Sequence, residues 1–371
     1  ILSSLFLNNF NFILFFGDIY LIGFVNNYYI YLIMYIENKQ VKKYISFWLL
    51  MMFLIISIMI IIGGLTRLTD SGLSITQWNL FSGFLPPLND ASWHNYFNLY
   101  KEIPEYQIQN YSMTLDEFKV IFWWEWIHRF LGRLIGIFFL IPLLLFSFKV
   151  GFKKLANLYL IFILICIQGF IGWYMVSSGL VDRVDVSHFR LSIHLIIAFI
   201  ILSLIQWNYL KLRKIILYNE KINLLIPKIF LFLIFIQILI GAFVSGMDAG
   251  KIYNSWPLMN TSYFPDDNEI SNLFNLSAFS EPSLVQFMHR NLAYIILLFY
   301  IIILINIYKK KLTSFFYIIN LLGVLLILQI ILGIFTLLYG AQIILSSMHQ
   351  INSIFLVSAS IYFLYFNSNT N

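Results

Sequence analysis

The chain has one cysteine, Cys166, among 371 residues, and it lies inside an apolar run. A single thiol builds no intramolecular disulfide, no cysteine zinc site and no iron–sulfur cluster. Charge is scarce too: 11% of the residues are Asp, Glu, Lys or Arg, where a soluble domain carries roughly 25%. Residues 1–38 contain no Lys or Arg. That stretch therefore has neither the basic start of a signal peptide nor the arginines of a transit peptide. No flavin or nucleotide motif is found, and the alternation of membrane barrel strands is missing.

What is there instead is apolar length. Hydrophobic residues make up 60% of the chain, and mean hydropathy is +0.83. Runs of about 20 apolar residues recur, each long enough to cross ~30 Å of hydrocarbon. The expected fold is an all-α polytopic membrane protein with spans at 46–65, 119–147, 155–177, 189–209, 226–246, 284–308, 313–339 and 343–366. The hydrophobic segment 1–45 has no assigned role, and its first 38 residues read as an additional helix or as a stretch outside the protein proper. Lysines and arginines collect in every second connection, for example Lys149, Lys153 and Lys154, or Lys309, Lys310 and Lys311. Those connections face the cytoplasm or matrix by the positive-inside rule. The net charge of +6 thus belongs to the membrane topology and does not call for a nucleic-acid partner.

The second half repeats the first. Gly63, Asp70 and Gly72 align with Gly241, Asp248 and Gly250. Gln168 and Gly172 align with Gln329 and Gly333. His128-Arg129 aligns with His289-Arg290, and His194 with His349. Each repeat has four spans, so both keep one orientation. The expectation is two four-helix bundles, 46–210 and 226–366, related by a pseudo-twofold axis along the membrane normal.

Four of the six histidines fall within spans, two per repeat, on the second and fourth helix of each. All four lie in the outer half of the membrane by the 1.5 Å rise per residue. Facing histidines at matched depth can ligate one planar iron porphyrin from both sides. The bland alternative is a set of histidines that hydrogen-bond neighbouring helices. Zinc is disfavoured, since a pair does not supply three or four converging ligands. His188, at the membrane edge, and His94, in a polar loop, read as ordinary polar residues. Arginine binds carboxylates in a fork, so Arg67 or Arg190 would suit porphyrin propionates, or both are interfacial anchors. Glu125 precedes His128 by one helical turn, and its counterpart in the second half is Gln286. Only the carboxylate can exchange a proton at neutral pH. The competing reading of Glu125 is an i,i+4 ion pair with Arg129.

Seven segments resemble signature stretches of the haem A synthase family, in its mitochondrial and proteobacterial branch. They are GGLTRLTDSGLSITQW, EFKVIFWWEWIHRFLGR, QGFIGWYMVSSGL, RLSIHL, GAFVSGMDAGKIYNSWPLM, VQFMHRNLAY and LGIFTLL followed by MHQ, spread over about residues 46–360. The resemblance implies oxidation of the C8 methyl of haem O to a formyl group, giving haem A for cytochrome oxidase. It implies haem b held by His289 and His349, and substrate haem O held by His128 and His194 with Glu125 at its reacting edge. It further implies a supplying haem O synthase and a separate electron donor of ferredoxin or quinol type. The membrane would be a mitochondrial inner membrane or a bacterial plasma membrane, and a homo-oligomer is compatible with the pattern. Gram-positive members carry cysteine pairs in outer loops; this chain has none there. A dihaem b-type electron carrier would also explain paired histidines, though not the Glu125/Gln286 difference. A transporter would explain the repeat but not the pairing.

Overall fold

The computed structural model describes residues 38–78, 82–181, 183–213 and 220–368. The reading of residues 1–38 as an additional helix lies outside the described residues, except for Asn38. Eight helices are long and apolar enough to cross a membrane, and the protein is an integral multi-pass membrane protein. In chain order they are α1 (Lys39–Leu68), α4 (Leu115–Val150), α5 (Ala156–Gly179), α6 (His188–Arg213), α7 (Leu225–Gly246), α8 (Pro282–Lys309), α9 (Phe316–Leu338) and α10 (Ile343–Ser368). Two shorter helices, α2 (Asp90–Lys101) and α3 (Pro104–Ile108), lie in the first outer connection.

All eight expected spans are present, and side-chain caps start two of them before their apolar runs. The Asn38 side chain accepts from the backbone N–H groups of Gln40 and Val41, which starts α1 before its apolar run. A capping box between Thr114 and Glu117 starts α4. Pro142 sits inside α4 and deprives the carbonyl of Phe138 of its helical donor. Trp48 Nε1 of α1 fills that vacancy at 2.9 Å. A proline in a membrane helix is tolerated when a neighbour satisfies the freed carbonyl in this way.

Within each half the helices pack in a closed ring. In the first, α1 meets α4, α4 meets α5, α5 meets α6 and α6 returns to α1. In the second, α7, α8, α9 and α10 follow the same order. The rings join through their first and last members, as α6 packs on α7 and α10, and α1 packs on α10. Burial follows this plan. The apolar window of α10 is 67% buried, whereas those of α4, α8 and the α5 and α9 segments are 22% buried. The inner helix also has the lowest hydropathy, 1.3, because it faces protein more than lipid. One apolar core runs through both halves. A second cluster, including Trp93, Phe97, Tyr100, Phe118 and Phe122, fixes α2 and α3 to the outer end of α4.

The halves are also locked at one close approach. Gln350 Nε2 of α10 donates to the carbonyl of Ile60 on α1 at 2.7 Å. Its amide fills the space where Gly64 would carry a Cβ. Gly64→Ala should therefore lower stability by about 1–3 kcal/mol. Gln350→Ala in the same chain should recover part of that loss, read as unfolding midpoints of detergent-solubilised protein.

Candidate functional site

One cavity of about 1080 Å³, lined by residues of all eight spans, reaches all four intramembrane histidines. His194, His289 and His349 sit about two turns into α6, α8 and α10. His128 sits deeper along α4, which starts further out. Each ring is half-buried because it faces the cavity.

Every one of these histidines lies against a glycine of the next helix. Gly63 of α1 faces His128, with a built Cβ 3.3 Å from Nε2. A Cβ at Gly172 of α5, Gly241 of α7 or Gly333 of α9 would stand 3.0 Å from Cε1 of His194, His289 or His349. Any larger residue would push the ring out of place. The helix pairs follow the repeat: first span against second, third against fourth.

The rings of His128 and His194 are 6.5 Å apart, centre to centre, with planes at 85°. Two imidazoles that ligate one metal from opposite sides, at ~2.0–2.1 Å per bond, stand about 6 Å apart by the same measure. Nδ1 of His194 and Nδ1 of His289 are buried without a hydrogen-bond partner. Among the described residues no group of three or more His, Cys, Asp or Glu converges to hold a metal ion. A metal between these rings must bring its own in-plane ligands, as a porphyrin does. The glycine seats and the spacing of the His128–His194 pair fit that group.

Glutamines support the histidines. Gln168 donates to the carbonyl of His194 at 2.9 Å. Its counterpart Gln329 stands 3.2 Å from Nε2 of His349 and accepts from Asn352 at 2.7 Å. Gln237 lies 3.3 Å from Nε2 of His289 and donates to that residue's carbonyl at 3.0 Å. The first half has Met59 at the position equivalent to Gln237.

Glu125 is 2% exposed and every face of its carboxylate is engaged. Oε1 accepts from Arg129 Nε at 3.0 Å and from its Nη2 at 2.6 Å. Oε2 accepts from Ser74 Oγ and from the backbone N–H of Ile75, both at 2.7 Å. Arg129 also donates to the carbonyls of Ile75 and Gln77, and its guanidinium lies over Trp78. The i,i+4 ion pair of the sequence reading is thus present, and it straps the outer loop to α4. The second half builds the same strap differently. Arg290 donates to the carbonyls of Tyr253 and Leu258, and Gln286 donates to that of Tyr253. Alignment from Gly63 and Gly241 pairs Ile75 with Tyr253 and Trp78 with Trp256, so both arginines hold the same loop position.

Arg67 faces three carboxylates: Asp70 at 2.5 Å, Asp248 at 3.4 Å and Asp185 at 3.6 Å. Asp70 and Asp248 are aligned repeat residues, and both adopt left-handed backbone, with φ of 47° and 52°. Arg190 lies over the Tyr174 ring and donates to Ser178 Oγ. His188 packs among Phe189 and Phe243, and His94 is exposed on α2. Sequence reasoning missed Ser74, Gln237 and the loop carbonyls. The repeat alignment, carried past Gly72 and Gly250, could have found the carbonyls.

Comparison with known proteins decides the family. The model of the COX15-CtaA family, described as cytochrome oxidase assembly protein, matches residues 46–361. The chain belongs to this family. A protein of Pelagibacter ubique named Heme A synthase is 52% identical over 91% of this chain and 100% of its own length. Proteins of that name from Rickettsia bellii and Rickettsia prowazekii are each 42% identical, over 86% and 88% of this chain and 97% and 99% of their own. The Glu125–Arg129 strap can be tested directly. Arg129→Leu leaves Glu125 buried without its cation and should cost about 3 kcal/mol or more. Glu125→Leu with Arg129→Leu should cost less than that single change. Unfolding midpoints and protease access at 72–78 would report the coupling.

Proposed function

We propose that this protein makes haem A from haem O, by oxidation of the porphyrin C8 methyl group to a formyl group, for cytochrome oxidase. The observation that carries the reading is the His128–His194 pair at 6.5 Å, in a cavity shared with His289 and His349, in a chain of this family. In this reading His128 and His194 hold the substrate haem O. His289 and His349 hold a resident haem b, with Gln237 and Gln329 orienting the two rings. Haem b bound there would pass electrons from an outside donor, of ferredoxin or quinol type. Haem O would be delivered by a haem O synthase. The relatives are bacterial, which supports a bacterial plasma membrane.

The chain's own groups then have distinct work. The glycine seats keep each imidazole at ligating distance and exclude bulk between helices. Glu125 brings a carboxyl group, paired with Arg129, to the cavity wall. With donors on both oxygens, it suits stabilisation of positive charge developing at the methyl carbon better than proton exchange. Two hydroxylations of that carbon, each using one dioxygen with two electrons from the donor and two protons and releasing one water, and then loss of water from the gem-diol, would leave the formyl group. Arg67 joins the substrate by exchanging one of its aspartates for a propionate.

Full-length protein expressed with a haem O supply should yield haem A, identified by chromatography and mass of extracted haems. Haem b without haem A would instead mark an electron carrier, and no haem at all a transporter. His349→Ala should abolish the haem b signal in the reduced optical spectrum, and retention of that signal would remove it as a ligand. Glu125→Gln should cut haem A output severely while the haem b spectrum persists; unchanged output would take Glu125 out of the reaction.

A further inference from the structure

Glu105 is a buried carboxyl that nothing in the reaction described above uses. It sits on α3 in the first outer connection, 2% exposed, and lines the same cavity as Glu125 and His128. Oε1 accepts from Tyr100 Oη at 3.2 Å. Tyr100 is fully buried and its hydroxyl accepts in turn from Asn110 Nδ2 at 2.8 Å. Oε2 is buried and has no hydrogen-bond partner.

The surroundings make this costly. The charged groups that act on Glu105 are Glu125 of α4, Asp185 of the α5–α6 connection and Asp70 at the end of α1, all carboxylates. The cations Arg67, Arg129 and Lys251 on the same cavity are committed to other carboxylates. Burial, and then these neighbours, push Glu105 up to about 8 against the pull of the Tyr100 hydrogen bond. At neutral pH it therefore carries its proton and can donate. The missing partner is an acceptor that enters the cavity from its outer end.

We propose that Glu105 is a substrate-binding residue whose unpartnered carboxyl oxygen donates a hydrogen bond to a propionate of the substrate porphyrin. The inference rests on the reading of the first-half site as the haem O site. It explains how a dianionic ligand settles at an end of the cavity already lined by Asp70, Asp185 and Asp248. One propionate meets a proton donor there and not another negative charge. The sign of the pH effect follows. The donor is intact below about 8 and is lost as pH rises through that value, so affinity falls in alkaline solution.

The test is a titration of the full chain, purified with its resident haem, with haem O and with haem O dimethyl ester. The optical spectrum of the resident haem reports that each variant is folded. Glu105→Ala should weaken haem O about tenfold or more and leave the ester's affinity unchanged. Glu105→Gln, which keeps a neutral donor, should bind haem O within about threefold of the parent chain and lose the decline above pH ~8. Equal losses for acid and ester, no loss for either, a Glu105→Gln protein as weak as Glu105→Ala, or a parent chain with no alkaline decline would each overturn the proposal. Failure of the parent chain to make haem A would instead sink the functional reading, so the two failures are separable.

Discussion

The constraint on which this structure depends is the close approach of a glycine to each intramembrane histidine. An imidazole between two helices normally holds them apart. Gly63, Gly172, Gly241 and Gly333 remove the side chain opposite, so each ring can lie flat in the seam and still face the cavity. Helix spacing and ligand position are thereby set by the same contact. Small residues at helix interfaces allow such approach in membranes, where apolar burial gives no net drive for association. The repeat of the seat in all four seams explains why glycine and histidine recur together in the two halves of the sequence.

A second repeated device ties the outer loops to the helices that carry His128 and His289. Arg129 and Arg290 each grip the carbonyl at the same loop position, Ile75 or Tyr253. These straps close the outer end over the cavity. The halves differ in the residue beside the arginine. Glu125 receives the loop's N–H and a serine hydroxyl; Gln286 gives its amide hydrogen to the loop's carbonyl. Both solutions satisfy the same turn, so folding alone does not require a carboxylate. The carboxylate's added property is its charge, and that charge lies on the wall of the cavity near His128.

The spans, their order and the placing of two histidines in each repeat were legible in the sequence because they rest on local periodicity and on an internal repeat, while the pairing of His128 with His194 came from the family resemblance. The extended ends of α1 and α4 came from Asn38 and Thr114, polar caps that lie before the apolar run. The helices α2 and α3 were not foreseen. Their apolar residues, such as Trp93, Phe97 and Tyr100, are spaced through a polar loop and find distant partners, Phe118 and Phe122 of α4 among them, only in the fold. Glu105 was invisible for a related reason. Its neighbours Asp70, Glu125 and Asp185 are far apart in the chain and meet only in the fold. Arg67 was recognised as a binder of carboxylates, but the three carboxylates it meets come from three separate connections.

That arginine shows how the repeat was put to unequal use. Asp70 and Asp248 occupy the same place in the two halves and share left-handed backbone. The position of Arg67, however, is Ser245 in the second half. One guanidinium therefore serves both aspartates and joins the outer ends of the two rings. A guanidinium has five donors in a rigid fork, and Arg67 Nε has no partner. A propionate that reached this cluster would add negative charge to three carboxylates around Arg67 and Lys251. It could bind well only by displacing an aspartate into water, where Asp70 and Asp248 are already about half exposed, or by meeting a proton. The fold offers both: exposed aspartates that water can take up, and a buried acid on α3 that has a proton to share.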